Sequence, residues 1–320
     1  MSEQRAPLPG EKADEGRPAF VQRLLDWYAV HQRDLPWRRT RDPYAILVAE
    51  VMLQQTQVER VIPKYHAFLA RFPTLADLAA APVAEVIRAW HGLGYNLRAV
   101  RLHRIARAAA ARFGGELPSD YETLLTLDGI GPYTAAAVAA IAFGRDHLAP
   151  DTNVRRVLGR LLAGQDLPRG GAAEQALLGA AGALLPAGEA GAFNQALMDL
   201  GALVCTARAP RCLICPLRAD CRYAAAPPPP PRRRAPTASH FVGSTRYYRG
   251  RVVAVLRGLP PGASVSVEEL ARMVRPEVDP RSDDWLAGLL GKLAAEGLVR
   301  VVREGRAGYQ VGPEDRVALP

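Results

Sequence analysis

All four cysteines of this 320-residue chain lie between positions 205 and 221, spaced C-x6-C-x2-C-x5-C as Cys205, Cys212, Cys215 and Cys221. So tight a group of thiols either pairs as disulfides or ligates a metal, and either choice ties the surrounding loop down. The chain has no run of 18 apolar residues free of charge or glycine, and its first residues, MSEQRAPLPGEKADEG, lack the apolar core of a secretory signal. That predicts a cytosolic protein with no membrane partner. Cytosolic thiols stay reduced, so a metal site is the better reading of the group. Four thiolates can hold zinc or an iron–sulfur cluster, and the spacing alone leaves both open. Arg208 and Arg211 add positive charge inside the same loop.

Residues 1–17 are polar and proline-rich and predict a disordered leader. From Phe20 onward, FVQRLLDWYAVH carries apolar residues three and four apart, the period of an amphipathic helix. The same period recurs in YAILVAEVMLQQTQVERVIPKYHAFLARF and VAEVIRAWHGL, with Gly, Pro and Asp between the runs. No alternating strand pattern interrupts it, so 18–225 reads as one helical core containing the cysteine loop 205–221. Residues 226–240 hold five consecutive prolines and three arginines and have no apolar face to bury, which predicts an extended linker. Residues 241–320 then read as three short helices followed by LVRVVREGRAGYQVG, two apolar runs flanking a Gly-containing turn. This is the pattern of a small winged-helix-like domain.

The formal charge of +9 and the pI of about 9.7 favour a polyanionic partner such as nucleic acid. A local feature agrees. LLTLDGIGPYTAAAVAAIAFG (124–144) reads as a helix end, a turn with Gly129 and Gly131, and a new helix opening at Pro132. Glycines let the backbone approach a ligand closely, and the free N–H groups at the second helix's start suit a DNA phosphate together with a monovalent cation. Such contacts position DNA without reading its sequence. Further on, Asp151, Thr152 and Asn153 precede the apolar run VRRVLGRLL and are placed to cap its helix.

Taken together, RDLPWR, DPYAILVAEVMLQQTQVERVIPKY, AWHGLGYNLRAVRLH, LDGIGPYTAAAVAAIAFG, DTNVRRVLGR and FNQALMDLGALVCTARAPRCLICPLRADC resemble the helix-hairpin-helix DNA glycosylase superfamily, and within it the MutY-type adenine glycosylases. The resemblance runs from about Phe20 to Tyr223. It implies a mainly α fold: a two-lobed all-helical helix-hairpin-helix core with one [4Fe–4S] cluster on Cys205, Cys212, Cys215 and Cys221. It also implies a monomeric enzyme associated with the nucleoid that hydrolyses the N-glycosidic bond of adenine opposite 8-oxoguanine or guanine in double-stranded DNA.

Such an enzyme must flip the base out, make it a better leaving group and stabilise positive charge on the deoxyribose. Glu50 lies in the apolar stretch VAEVMLQQT, where burial raises a carboxyl's pKa; by resemblance it protonates adenine N7. Asp151 matches the carboxylate that stays ionised to stabilise the sugar cation. Asn153 would orient Asp151, and Tyr133 would sit beside the pair. Tyr133 occupies the position where bifunctional relatives of the endonuclease III type keep a Schiff-base lysine, so the resemblance implies a monofunctional enzyme that leaves an abasic site. Gln54, Gln55 and Thr56 match the turn that enters DNA opposite the extruded base, Leu93 and Tyr95 the loop that wedges beside the lesion's partner, and Arg38 a position near the adenine pocket.

The chain departs from the family in having Asn96 where a second tyrosine is common, DTN in place of DGN, and no nudix-like C-terminal domain. DTN also occurs in relatives acting on thymine or uracil mismatches, which makes a thymine/uracil mismatch glycosylase the alternative enzyme. A non-catalytic DNA-binding protein is the alternative of a different class. In the basic tail, Arg246, Arg249 and Arg251 could follow a phosphate backbone, and the Arg232 to Arg234 run could add salt-sensitive affinity.

Overall fold

The computed structural model describes residues 18–166, 169–226, 241–276, 284–302 and 311–320. The expected leader, the linker beyond Ala226 with its Arg232 to Arg234 run, and the Gly-containing turn near the C-terminus lie outside the described residues. The helices in chain order are α1 (Ala19–His31), α2 (Pro43–Leu53), α3 (Val58–Arg71), α4 (Leu75–Ala80), α5 (Val83–Ala89), α6 (Leu97–Arg112), α7 (Tyr121–Leu125), α8 (Pro132–Phe143), α9 (Thr152–Leu158), α10 (Ala172–Gly182), α11 (Ala190–Leu203) and α12 (Arg222–Ala225). After them come α13 (Thr245–Gly258), β1 (Val265–Ser266), α14 (Val267–Val274), α15 (Asp284–Ala295), β2 (Arg300–Val302) and β3 (Arg316–Ala318). Among the described residues up to Ala226, every regular element is helical. The strands form one antiparallel sheet in the order β1-β3-β2, with Val317 opposite both Val265 and Val301. Neither β1 nor a strand as late as β3 was legible in the alternation of the tail.

The chain divides into two compact units. One comprises 1–50, 117–126 and 130–233. Its core joins Leu24 and Tyr28 of α1, Val157 and Leu158 of α9, and Phe193 and Leu200 of α11. α8 is buried nearly all round, as a helix of Ala, Val and Ile can be. Two glycines on α11 set how closely its neighbours approach. A Cβ on Gly191 would lie 2.8 Å from the Ala140 carbonyl oxygen of α8, and one on Gly201 would lie 2.6 Å from Asn153 Cβ on α9.

The other unit comprises 51–116, 127–129 and 234–320. The apolar faces of the tail helices do not close on themselves. Leu256 of α13, Leu270 of α14, Leu290 of α15 and Val317 share a core with Ile87 of α5 and Val100 of α6. Three helices and strands of two or three residues enclose too little apolar volume alone, and α5 and α6 supply the rest. The 18–225 core read from the sequence is therefore split between the two units, and residues 241–320 group with 51–116.

Within this second unit Arg98 of α6 organises two turns. Its buried guanidinium donates to the carbonyls of Val51 (2.9 Å), Met52 (2.9 Å), Gln54, Leu93 (3.1 Å) and Gly94 (3.3 Å), and to Thr56 Oγ1 (3.0 Å). It also faces the Trp90 and Tyr95 rings at 5.5 and 5.6 Å. The turns it ties hold the two non-glycine residues with positive φ among the described residues, Gln55 (57°) and Tyr95 (45°). Left-handed backbone at such residues costs energy and persists only where the surroundings fix it. Burial pulls Arg98 down to about 10, so it keeps its charge near neutrality.

Two outcomes follow from this packing. Gly201→Ala should destabilise the protein by about 1–3 kcal/mol through overpacking, measured by urea unfolding. Arg98→Lys supplies three donors for six acceptors, so it should cost about 2–3 kcal/mol and expose the Gln54 and Tyr95 turns to limited proteolysis; wild-type stability and cleavage would refute the tie.

Candidate functional site

Glu50 enters the interior because α2 is apolar almost throughout, so a residue on any of its faces is drawn inward. Opposite it, Pro132 at the first helical position starts α8, which places Tyr133 one residue into the helix with its side chain toward Glu50. The Tyr133 hydroxyl donates to Glu50 Oε2 at 2.8 Å. Burial pushes the Glu50 carboxyl up to about 7. The Tyr133 hydrogen bond opposes that shift, the Asp151 charge adds to it, and Arg38 draws it back. The Tyr133 hydroxyl is itself raised, by burial and by the two carboxylates.

Asp151 caps α9. Its Oδ1 accepts the Val154 N–H at 2.7 Å and its Oδ2 accepts the Asn153 amide at 3.1 Å. Burial raises this carboxyl as well, but the Val154 and Asn153 N–H groups, the Asn153 side chain and the Arg156 charge pull the other way. The cap read from the sequence is therefore present, and it leaves Asp151 held by Val154 and Asn153. The two carboxyls differ in support, since Asp151 has several donors for its charge and Glu50 has one hydroxyl. This pattern pairs an acid with a stabilised anion.

Arg38 is not free. Asp199, fully buried on α11, accepts from both ends of its guanidinium and also from Arg33, through Nε at 2.6 Å and the backbone N–H at 3.0 Å. The Arg38 guanidinium lies 5.6 Å from the Tyr28 ring centre. These partners hold Asp199 below its usual range against the pull of burial. Asp199 went unnoticed in the sequence, although one acid inside FNQALMDLG was its signal.

Two further arginines were missed. Arg156, one helical turn after Asn153, donates to Asn153 Oδ1 (2.7 Å), the Gly201 carbonyl (2.9 Å) and the Cys205 carbonyl (2.9 Å). Hydrogen bonds therefore run from Asp151 through Asn153 and Arg156 to the first cysteine. The i, i+3 spacing of Asn153 and Arg156 on a helix was the available hint. Arg160 sits where α9 widens into a π-turn, Gly159–Ala163. It donates to the carbonyls of Thr206 (2.8 Å) and Ala207 (3.0 Å), and one of its amino groups is 3.6 Å from Cys205 Sγ.

Cys205, Cys212, Cys215 and Cys221 line one small pocket together with Arg160 and Tyr223. Burial, and then the neighbouring sulfurs, push the Cys215 thiol up to about 11, and Cys205 is raised by burial too. Such sulfurs ionise against a cation bound among them. Among the described residues, no three His, Cys, Asp or Glu side chains close on one metal ion. Four thiols around one pocket are a donor set that suits a thiolate-bound metal or cluster.

Gln54, Gln55 and Thr56 leave the end of α2, and Leu93 is buried in the turn before α6 while Tyr95 is 47% exposed. Gly129 has φ 105°, and a Cβ there would meet Arg101 Cβ at 3.1 Å. Gly131 is the N-cap of α8 and makes no side-chain cap hydrogen bond. The site residues therefore fall in two groups: Glu50, Tyr133, Asp151, Asn153 and Arg38 in one unit, and Gln54, Gln55, Thr56, Leu93, Tyr95 and Gly129 in the other.

Residues 48–180 match the model of the HhH-GPD superfamily of base excision DNA repair proteins. The adenine DNA glycosylase of Mycolicibacterium smegmatis is 42% identical over 288 residues, covering 89% of this chain and 97% of that protein. The human adenine DNA glycosylase is 46% identical over 213 residues, 64% of this chain and 39% of the human protein. Among solved structures, a thermostable thymine-DNA glycosylase superposes with a TM-score of 0.58 at 34% identity, over 64% of this chain and 95% of that one. With a likeness to the mycobacterial protein that spans nearly the whole of both chains, this chain belongs to the adenine DNA glycosylase family of the HhH-GPD superfamily.

Proposed function

We propose that this chain is a monofunctional DNA glycosylase that hydrolyses the bond between deoxyribose and an adenine mispaired with 8-oxoguanine or guanine. The observation that carries the proposal is the buried Glu50 carboxyl, poised at about 7 and hydrogen-bonded by Tyr133, with Asp151 accepting hydrogen bonds from Val154 and Asn153 in the same unit. Glu50 gives its proton to N7 of the extruded adenine. The C1′–N9 bond then breaks, its electron pair passes into the ring, and neutral adenine departs as its N7–H tautomer. Asp151 stabilises the positive charge left on the sugar, with Asn153 and Arg156 fixing its direction. Water adds at C1′ and surrenders a proton to the Glu50 carboxylate, which restores the acid and leaves an abasic site. Tyr133 is no amine, so a Schiff base with the sugar has no nucleophile at that position.

Gln54, Gln55 and Thr56 would enter the duplex at the vacated base, with Leu93 and Tyr95 beside the partner base and the Gly129–Gly131 turn on a phosphate, where a monovalent cation can assist. Cys205, Cys212, Cys215 and Cys221 would hold one [4Fe–4S] cluster. Bound there with all four thiolates engaged, it offers no open position to water or substrate and serves to fix the loop. Among the described residues, no helix is long and apolar enough to cross a membrane. A monomer acting on DNA at the nucleoid in the cytoplasm agrees with the basic charge. The likeness to a thymine-DNA glycosylase concerns the scaffold; an acid aimed at a purine N7 favours adenine.

Single-turnover base release should be abolished or reduced at least a hundredfold by Glu50→Gln and by Asp151→Asn. Adenine should leave from duplexes carrying it opposite 8-oxoguanine or guanine, while thymine and uracil mispairs stay intact. Release that survives both substitutions would overturn the mechanism. Because Glu50 must arrive protonated, the rate should fall about tenfold per unit above about pH 7, and because Asp151 must be ionised it should fall again toward acid as that carboxyl, raised by burial, takes up a proton.

Folding raises Glu50 above its ordinary 4.5, so its contribution to stability is complete below that value and is lost as pH rises through about 7. Glu50→Gln, which cannot ionise, should gain melting temperature relative to wild type across that interval, as differential scanning calorimetry at several pH values would show.

A further inference from the structure

Three arginines near the start of α13 differ in their partners. Arg249 is ion-paired with Glu296. Among the described residues, neither Arg246 nor Arg251 meets a carboxylate. Arg246 lies 5.0 Å from the Phe241 ring centre, and its Nη1 is 3.4 Å from the Tyr95 hydroxyl. Arg251 lies 5.7 Å from the Tyr247 ring centre and donates to the Tyr247 hydroxyl at 3.1 Å and to the Met273 carbonyl at 2.8 Å. Phe241 and Tyr247 stand edge to face at 5.7 Å, and Ser244 caps the helix that carries the row. A guanidinium whose face rests on a ring keeps in-plane N–H donors for a phosphate, and the ring keeps it extended. Phe241 and Arg246 are exposed, and Tyr247 and Arg251 are half-buried.

The row continues onto the Tyr95 turn. Arg257, further along α13, donates to Asn96 Oδ1 at 3.1 Å, so the position where the chain departs from the family's second tyrosine is the one the tail engages. Arg88 donates to the Arg257 carbonyl, and the charges of Arg257 and Lys64 both lower His91. Cations therefore accumulate around this turn.

We propose that the start of α13, through Arg246 and Arg251 set against Phe241 and Tyr247, is a second grip on the phosphodiester backbone of duplex DNA, continuous with the Tyr95 turn. This rests on the glycosylase function proposed above and adds that the tail takes part in holding the substrate. Two arginines set beside aromatic rings on a helix surface contact charge and not base edges, so the grip contributes affinity that falls with salt.

The test is the equilibrium affinity of the full chain for an 8-oxoguanine:A duplex across a salt series, for wild type, Arg246→Gln, Arg251→Gln, the double variant and Arg272→Gln. Arg272 lies on the same module but is paired with Glu268 and serves as the control. The slope of log K against log salt should become shallower by about one per arginine removed and about two in the double variant, with Arg272→Gln like wild type. Arg246 is exposed, so its single variant reads binding without a folding penalty. A double variant with the wild-type slope and affinity, in a protein that still releases adenine, would overturn this grip alone. A wild-type chain that neither binds the duplex nor releases adenine would overturn the glycosylase reading with it.

Discussion

Keeping a carboxyl inside an apolar helix is the constraint around which the unit that holds Glu50, Tyr133 and Asp151 is arranged. An ionised Glu50 in that position would be far more costly than a neutral one, and the surroundings reduce the cost only in part: one hydroxyl from Tyr133 and the distant field of Arg38. The carboxyl therefore retains its proton up to about neutral pH. Asp151 is also buried and also raised, but it is capped onto α9 and supplied with donors that oppose the shift. The difference between the two sites arises from hydrogen-bond supply more than from residue type.

Buried arginines carry the second level of organisation. Arg156 connects the Asp151–Asn153 pair to the backbone of Cys205, and Arg160 holds the next two carbonyls of the cysteine loop. Gly201 makes the first connection possible, because a Cβ there would collide with Asn153. In the other unit Arg98 plays a similar part for the Gln54 and Tyr95 turns. In each case one planar cation satisfies several carbonyls at loop ends, where regular helix hydrogen bonding has stopped.

The tail extends that second unit. Its apolar face shares a core with α5 and α6, and its polar face adds arginines to the turn that precedes α6. Asn96, which by sequence was only a departure from the common tyrosine, is a hydrogen-bond acceptor for Arg257.

Local chemistry alone made much of this legible. The helical periods, the Gly131-Pro132 start of α8, the Asp151 cap and the spacing of Cys205 to Cys221 are short-range patterns, because they depend on backbone geometry over a turn or two. The family resemblance carried Glu50, Tyr133 and Asn153 to their positions. Tertiary structure alone decided what depends on residues far apart in the chain. It set how far burial raises Glu50 and gave Asp199 two arginines. It also brought Arg98 to two turns whose left-handed residues, Gln55 and Tyr95, are 40 apart in sequence, and the tail to α5 and α6. Desolvation and hydrogen-bond supply are properties of an environment assembled from many segments, and no local pattern of residues encodes them.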